Sequence, residues 1–376
     1  TLIALAALAS SAAFAQGAAG SSVTLYGALD ASVTTVDKTC VASAGAAAAN
    51  GCPANTRSTS MTALTGGNVA SPVFGMRGSE DLGGGLRAIF AIEGDIDPTN
   101  GNTDGATGAG VNASGTTIGA VFRRASWVGL SGSWGSITAG RRMNSFIASL
   151  LGSQVMASNS VAVSTSAAGG FADFWVKNAV TYSTPNLNGL SAELMYALSN
   201  TAGIGAGGTL TAVGASYING PLGIYGGFQD HKASTSAVAA TTVAHNSNSL
   251  AVKYTLGAWQ FAAGMIKTEF DATATLKAYK RDTRQLAMSY AVNKQITAGV
   301  TYTEVEDAHM TSLQARYAFS PRSSLYFMAN LNEQGQRFDV NNARVAIPVT
   351  WGARALAPAV AGLSQQAMSA GVIHRF

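Results

Sequence analysis

Apolar and polar positions alternate along most of this chain. From Ser22 to Val36, Val23, Leu25, Leu29, Ala31 and Val33 fall on one side of an extended strand and Thr24, Asp30, Ser32 and Thr34 on the other, because strand side chains repeat every two residues. Residues 366–376 behave alike. Met368, Ala370, Val372, His374 and Phe376 share one face, and Ser369, Gly371, Ile373 and Arg375 share the other. A strand that runs to the final residue and ends on an aromatic needs a neighbour on both sides. Residues 324–332 supply one and the first strand supplies the other, so this segment is expected to close a barrel.

Between these ends the punctuation is asymmetric. Tight junctions at 80–85, 131–135, 185–189, 219–223 and 320–323 are rich in Gly, Pro, Asn and Ser, whereas the junctions between them are long stretches of small and polar residues. The pattern predicts about sixteen strands, with the second at 69–78, the third at 86–93 and the fourth at 122–130. The expected fold is all-β, a sixteen-stranded antiparallel transmembrane β-barrel.

Composition decides what the two faces meet. Only 11% of residues are charged, against about 25% in soluble domains, yet beyond the first residues no window approaches about 18 consecutive apolar positions, which excludes helical spans. A closed barrel satisfies its backbone between strands and needs only a weak alternating signal. A soluble pair of β-sandwiches would need a more charged exterior. Trp127, Trp134, Tyr182, Tyr196, Tyr254, Trp259, Tyr290, Tyr302, Tyr317, Phe319 and Phe376 all lie near expected strand ends, as interfacial girdles require.

Residues 1–15 read as an export signal. Leu2 to Ala9 is an apolar core, and Ala13-Phe14-Ala15 before Gln16 is a cleavage site; the basic segment that normally precedes such a core is not in the sequence. Residues 16–376 then form one barrel. Export also permits a disulfide between Cys40 and Cys52, twelve positions apart in a surface loop.

Six segments carry a more specific signal: S-V-T-L-Y-G-A-L-D (22–30), F-G-M-R-G-S-E-D-L-G-G-G-L-R-A-I-F (74–90), R-A-S-W-V-G-L-S-G (124–132), W-G-S-I-T-A-G-R (134–141), N-A-V-T-Y-S-T-P-N-L-N-G-L (178–190) and the terminal H-R-F. In this order the chain resembles the trimeric general porins of Gram-negative outer membranes, of the β-proteobacterial type. The resemblance implies a homotrimer in outer-membrane lipid and lipopolysaccharide, and a third loop folded into the lumen. It also implies a terminal strand, ending at Phe376, that the outer-membrane assembly machinery reads. Passive diffusion of small hydrophilic solutes is expected, with small anions favoured by the basic wall described below, and no cofactor, metal or nucleic-acid partner is expected.

By that resemblance the constriction loop is Met143 to Ala172. Ser145, Gln154 and Asn159 are polar, and the loop between Asn144 and Ala172 carries no charge; Asp173 follows it. Phe146, Ile147, Leu150 and Leu151 are expected to pack on the inner wall. Parity assigns the opposing wall. Trp127 is taken as facing lipid, which puts Arg124 and Ser126 in the lumen. Arg77 and Lys177 follow by the same alternation, and Arg142 sits at the loop's root. Asp30, Glu93, Asp95 and Glu193 are further lumenal candidates. Rings of Arg and Lys favour anions, and the net charge of +4 has the same sign.

Chemistry of other kinds is thinly represented. His231, His245, His309 and His374 lack metal-ligand spacing, and no Ser, His and Asp arrangement has supporting context. A channel is therefore expected rather than a barrel enzyme or adhesin. A sugar- or carboxylate-specific porin is the alternative within channels, although lumenal aromatics are few by parity (Tyr26 and Tyr326).

Overall fold

A computed structural model describes residues 20–42, 56–103, 121–156, 174–199, 207–232, 244–272, 278–306, 308–333, 335–338, 344–347 and 364–376. Residues 1–19, Cys52, Asn159 and Asp173 lie outside these, as does the side chain of Cys40, so the expected signal and disulfide fall beyond the described residues.

Among the described residues there are nineteen strands and one helix. The first six strands are β1 (Ser22–Ala42), β2 (Thr56–Gly66), β3 (Val73–Gly83), β4 (Leu86–Asp95), β5 (Ala125–Gly132) and β6 (Gly135–Met143). Helix α1 (Ser145–Leu151) leads to β7 (Trp175–Ser183), β8 (Leu190–Ala197), β9 (Leu210–Asn219), β10 (Leu222–His231) and β11 (His245–Leu256). Then follow β12 (Trp259–Phe270), β13 (Tyr279–Ala291), β14 (Ile296–Val305), β15 (Ala308–Ala318) and β16 (Ser323–Glu333). A hairpin of β17 (Gly335–Phe338) and β18 (Arg344–Ile347) stands in the last long connection, and β19 (Ser364–Arg375) ends the chain.

Consecutive strands pair antiparallel, and β19 pairs with both β16 and β1, which closes the sheet. β2 and β3 are successive halves of one stave, since β1 pairs with β3 along 22–28 and with β2 along 31–42. The barrel therefore has sixteen staves, all antiparallel. The expected second strand at 69–78 is corrected by this break: its first residues are not strand but an inward fold at 67–72. Asp30 causes it. The carboxylate, fully buried, accepts the amides of Val69 and Ala70 at 2.8 Å each and the Tyr326 hydroxyl at 2.7 Å. Asn68 follows inward, its amide within 3.1 Å of Ser32, Thr34, Thr65 and Ser369 hydroxyls.

The two faces are as the alternation requires. Val23, Leu25, Val33, Val128, Leu286 and Val372 are exposed outward, as an apolar belt facing lipid must be. Ser32, Thr34, Thr181, Ser247, Thr303 and Ser369 are buried on the inner side. Aromatic pairs mark the rims: Trp134 stacks on Tyr182 and Trp259 meets Tyr290 with ring centroids 4.5 Å apart. At the seam Gly27 and Phe376 exchange two backbone hydrogen bonds of 3.1 and 3.0 Å. A β-carbon at Gly27 would lie 2.3 Å from the Phe376 ring, so only glycine leaves room for it.

Candidate pore constriction

The segment after β6 turns into the lumen as a short helix. Asn144 caps it, its side chain accepting the Phe146 amide at 3.0 Å, and Gly152 ends it. Phe146, Ile147 and Leu150, spaced to share one helical face, are fully buried against Val176, Ala179, Met195, Ala197, Leu210, Ala212 and Ile266 on the inner wall. Burying such side chains contributes about 1.5–3 kcal/mol each. Two wall glycines admit the helix. A β-carbon at Gly214 would sit 2.0 Å from the Ser145 carbonyl oxygen, and one at Gly227 would sit 3.0 Å from the Phe146 ring.

Beyond α1 the segment tracks round the wall. Lys253 donates to the carbonyls of Gly152 and Gln154, Ser289 donates to Val155 at 3.4 Å, and Met156 reaches Gly299. The expected inner-wall docking of Phe146 and Leu150 is thus what the structure has, while Ser145 is buried and turns to Glu193.

Beside the root of this segment lies a recess lined by Tyr26, Arg77, Glu93, Arg124, Trp127, Arg142 and Trp175. Three of the four expected cations converge there. Arg124 binds Glu93 at 2.6 Å and Asp95 at 3.1 Å, and its guanidinium lies 4.3 Å from the centre of the Trp175 ring. Arg123 shares Asp95 at 2.6 Å. Arg142 binds Glu193 at 2.8 Å, and Ser183 also donates to that carboxylate. Arg77 has no carboxylate among the ion pairs of the described residues; its guanidinium lies over the Tyr26 ring at 5.3 Å, and Tyr26 donates to Glu93 at 2.9 Å. Arg77, Arg123, Arg124 and Arg142 thus gather about Glu93, Asp95 and Glu193, with Arg141 close to Arg123. Farther along the inner wall Arg316 and Arg375 lie near enough to feel each other's charge.

Three expectations are corrected. Lys177 is exposed and outside the cluster: β7 carries one extra residue between Val176 and Ala179, with Asn178 at φ 57°, so Val176 and not Lys177 takes the inner position beside Arg142. Trp127 faces the lumen. Glu93 pairs with Ala125 and Ala91 with Trp127, which puts Ser126 outward with Val128 and Leu130, against the lumenal place expected for it, and leaves the indole beneath Arg142. Arg124 still reaches the lumen because it precedes the strand and is free of its parity. Asp30 points inward but is sealed under 67–72, so it does not line the aperture. Asp95, already a lumenal candidate by parity with Glu93, joins the cluster, and Arg123 and Trp175, which parity did not single out, complete it.

A closed barrel, apolar outside and polar within, with a loop docked inside it, defines a passive water-filled channel across an outer membrane. Comparison with known proteins places it further. The model of the Gram-negative porin family matches residues 1–336. Outer membrane porin protein 32 of Delftia acidovorans is 30% identical over 284 residues, covering 72% of this chain and 70% of that protein. The anion-selective porin from Comamonas acidovorans shares the fold with a TM-score of 0.69 at 24% identity, over 95% of this chain and 100% of its own. OmpT of Vibrio cholerae does so at 0.62 and 13%, over 95% and 98%. The chain belongs to the Gram-negative porin family. It is an outer-membrane channel and not an enzyme.

Proposed function

We propose that this porin passes small hydrophilic solutes by diffusion with a preference for anions, and that Arg77 sets that preference. The observation that carries the reading is the distribution of ion pairs. Arg124 and Arg142 spend their charge on Glu93, Asp95 and Glu193, whereas Arg77 stands over Tyr26 without such a partner. A passing anion therefore meets the field of Arg77 first, focused by the low-dielectric wall. The description of the Comamonas porin as anion-selective points the same way. Homotrimers in lipopolysaccharide-containing membrane, built by the outer-membrane assembly machinery, complete the proposal, with residues 1–15 as the export signal.

Reversal potentials in a planar bilayer under a KCl gradient test it. Anion preference is expected for the native channel and loss of it for Arg77→Ala. Cation preference in the native channel, or an unchanged potential in the variant, overturns the reading. A second reading, preference for carboxylates with a planar apolar part, draws support from Trp127 and Trp175 beside the arginines. Liposome swelling rates for benzoate against acetate distinguish the two.

A further inference from the structure

We propose that Gln229 and His245 are positioning residues of the constriction loop: neutral His245 holds Gln229, Gln229 holds Asn144, and Asn144 caps the helix that narrows the pore. This rests on the channel reading above but not on its ion preference.

The polarity of the chain is fixed from one end. The backbone N–H of Phe146 can only donate, so the Asn144 atom 3.0 Å from it is the side-chain oxygen. The Asn144 amide nitrogen then points away and donates to Gln229 Oε1 at 2.8 Å. Gln229 consequently presents its own NH2 to His245 Nε2 at 3.0 Å. That ring nitrogen must accept, so it carries no proton. Asn144, Phe146 and Gln229 are fully buried and His245 is nearly so.

A doubly protonated imidazole donates from both nitrogens. Protonation of His245 therefore sets N–H against NH2 at Gln229. Turning the Gln229 amide moves the clash to Asn144, and turning Asn144 moves it to the Phe146 amide. The backbone cannot reverse, so the mismatch ends at the helix cap. There α1 has little room, since Gly214 and Gly227 already lie at contact distance.

The charged and titratable groups around His245 come from every neighbouring strand. His231 on β10 meets it edge-on with ring centroids 5.3 Å apart. Arg281 on β13 lies over Phe270 and Tyr279, beside His245, and faces Glu306 at 3.8 Å. Glu269 on β12 is taken by Lys280 of β13, Asp230 on β10 by Lys232, and Glu193 beside α1 by Arg142 and Ser145.

Single-channel conductance of the purified protein between pH 8 and pH 5 provides the test. The native channel is expected to show one conductance transition within this range, and its position is read from the profile. His245→Gln, whose carbonyl accepts at every pH, is expected to lose the transition while keeping the reversal potential of the native channel. Gln229→Glu accepts from both Asn144 and a protonated His245, so it too is expected to lose the transition, independently of any change at the ring. His231→Gln is expected to keep it. A native profile without a transition, a transition that persists in His245→Gln or Gln229→Glu, or one that disappears only in His231→Gln overturns the proposal. Normal conductance with a flat profile would leave the channel reading intact and remove the relay alone.

Discussion

Arg77 and Arg124 carry the same guanidinium and differ in what stands next to it. Arg124 has two carboxylates within 3.1 Å, whereas Arg77 has an aromatic face. Removing Arg124 leaves Glu93 and Asp95 less compensated, so Arg124→Ala is expected to move the reversal potential toward cations by uncovering a carboxylate, whereas Arg77→Ala does so by removing the cation that faces no carboxylate. Reversal potentials of Arg77→Ala, Arg124→Ala and the double variant measure the difference, and additivity of the shifts tests whether the sites are independent. Asp30 makes a prediction of another kind. Asp30→Ala strips two backbone amides and the Tyr326 hydroxyl of their acceptor, each orphaned donor costing about 1–3 kcal/mol, and the temperature at which the folded band disappears on electrophoresis is expected to fall. Which residues face inward was largely legible in the sequence, because a charge on the lipid face is costly. Parity misled at Trp127 and Lys177 for physical reasons. Indole suits either face, with Val128 and Leu130 giving an equally apolar outer side, and a one-residue bulge leaves no mark in composition.

At the scale of elements, α1 shows how a loop becomes part of a wall. Its apolar face, the capping Asn144 and the closing Gly152 are all present in M-N-S-F-I-A-S-L-L-G, a capped helix signature that alternation-based reading passes over. The fit depends on empty space as much as on contact. Gly214→Val adds volume where the Ser145 carbonyl already lies 2.0 Å from a β-carbon position, so the helix must move toward the lumen axis and single-channel conductance is expected to drop. Phe146→Ala acts oppositely. Truncations of buried Phe cost about 3–5 kcal/mol; here the loss falls on loop docking, and open-channel current noise is expected to rise while the barrel keeps its melting temperature. The broken stave of β2 and β3 was the element least visible beforehand. Residues 56–66 are mostly Ser and Thr with few apolar positions, and they form strand because β1 offers them an edge.

For the whole molecule, the seam is the most non-local contact of all. Thr34 and Ser369 share a 2.9 Å hydrogen bond across 335 residues of sequence, and Tyr326 reaches Asp30 across 296. Deleting Phe376 removes the two backbone bonds with Gly27 and the ring that lies over it. Folded, membrane-inserted protein is expected to decline sharply while the conductance of channels that do form stays near native, a comparison of yield and current from one preparation. The seam has a further meaning for a chain that is still being handled by the cell. Until β19 arrives, β1 and β16 both present a full row of unpaired amides and carbonyls to whatever is nearby, and such rows recruit other chains. A stalled or clipped copy is therefore exposed on two sides at once, and pairing that spans the whole sequence forms slowly. Escort and disposal factors in the periplasm have a long interval and a conspicuous target, and the docking of β19 between β16 and β1 ends it.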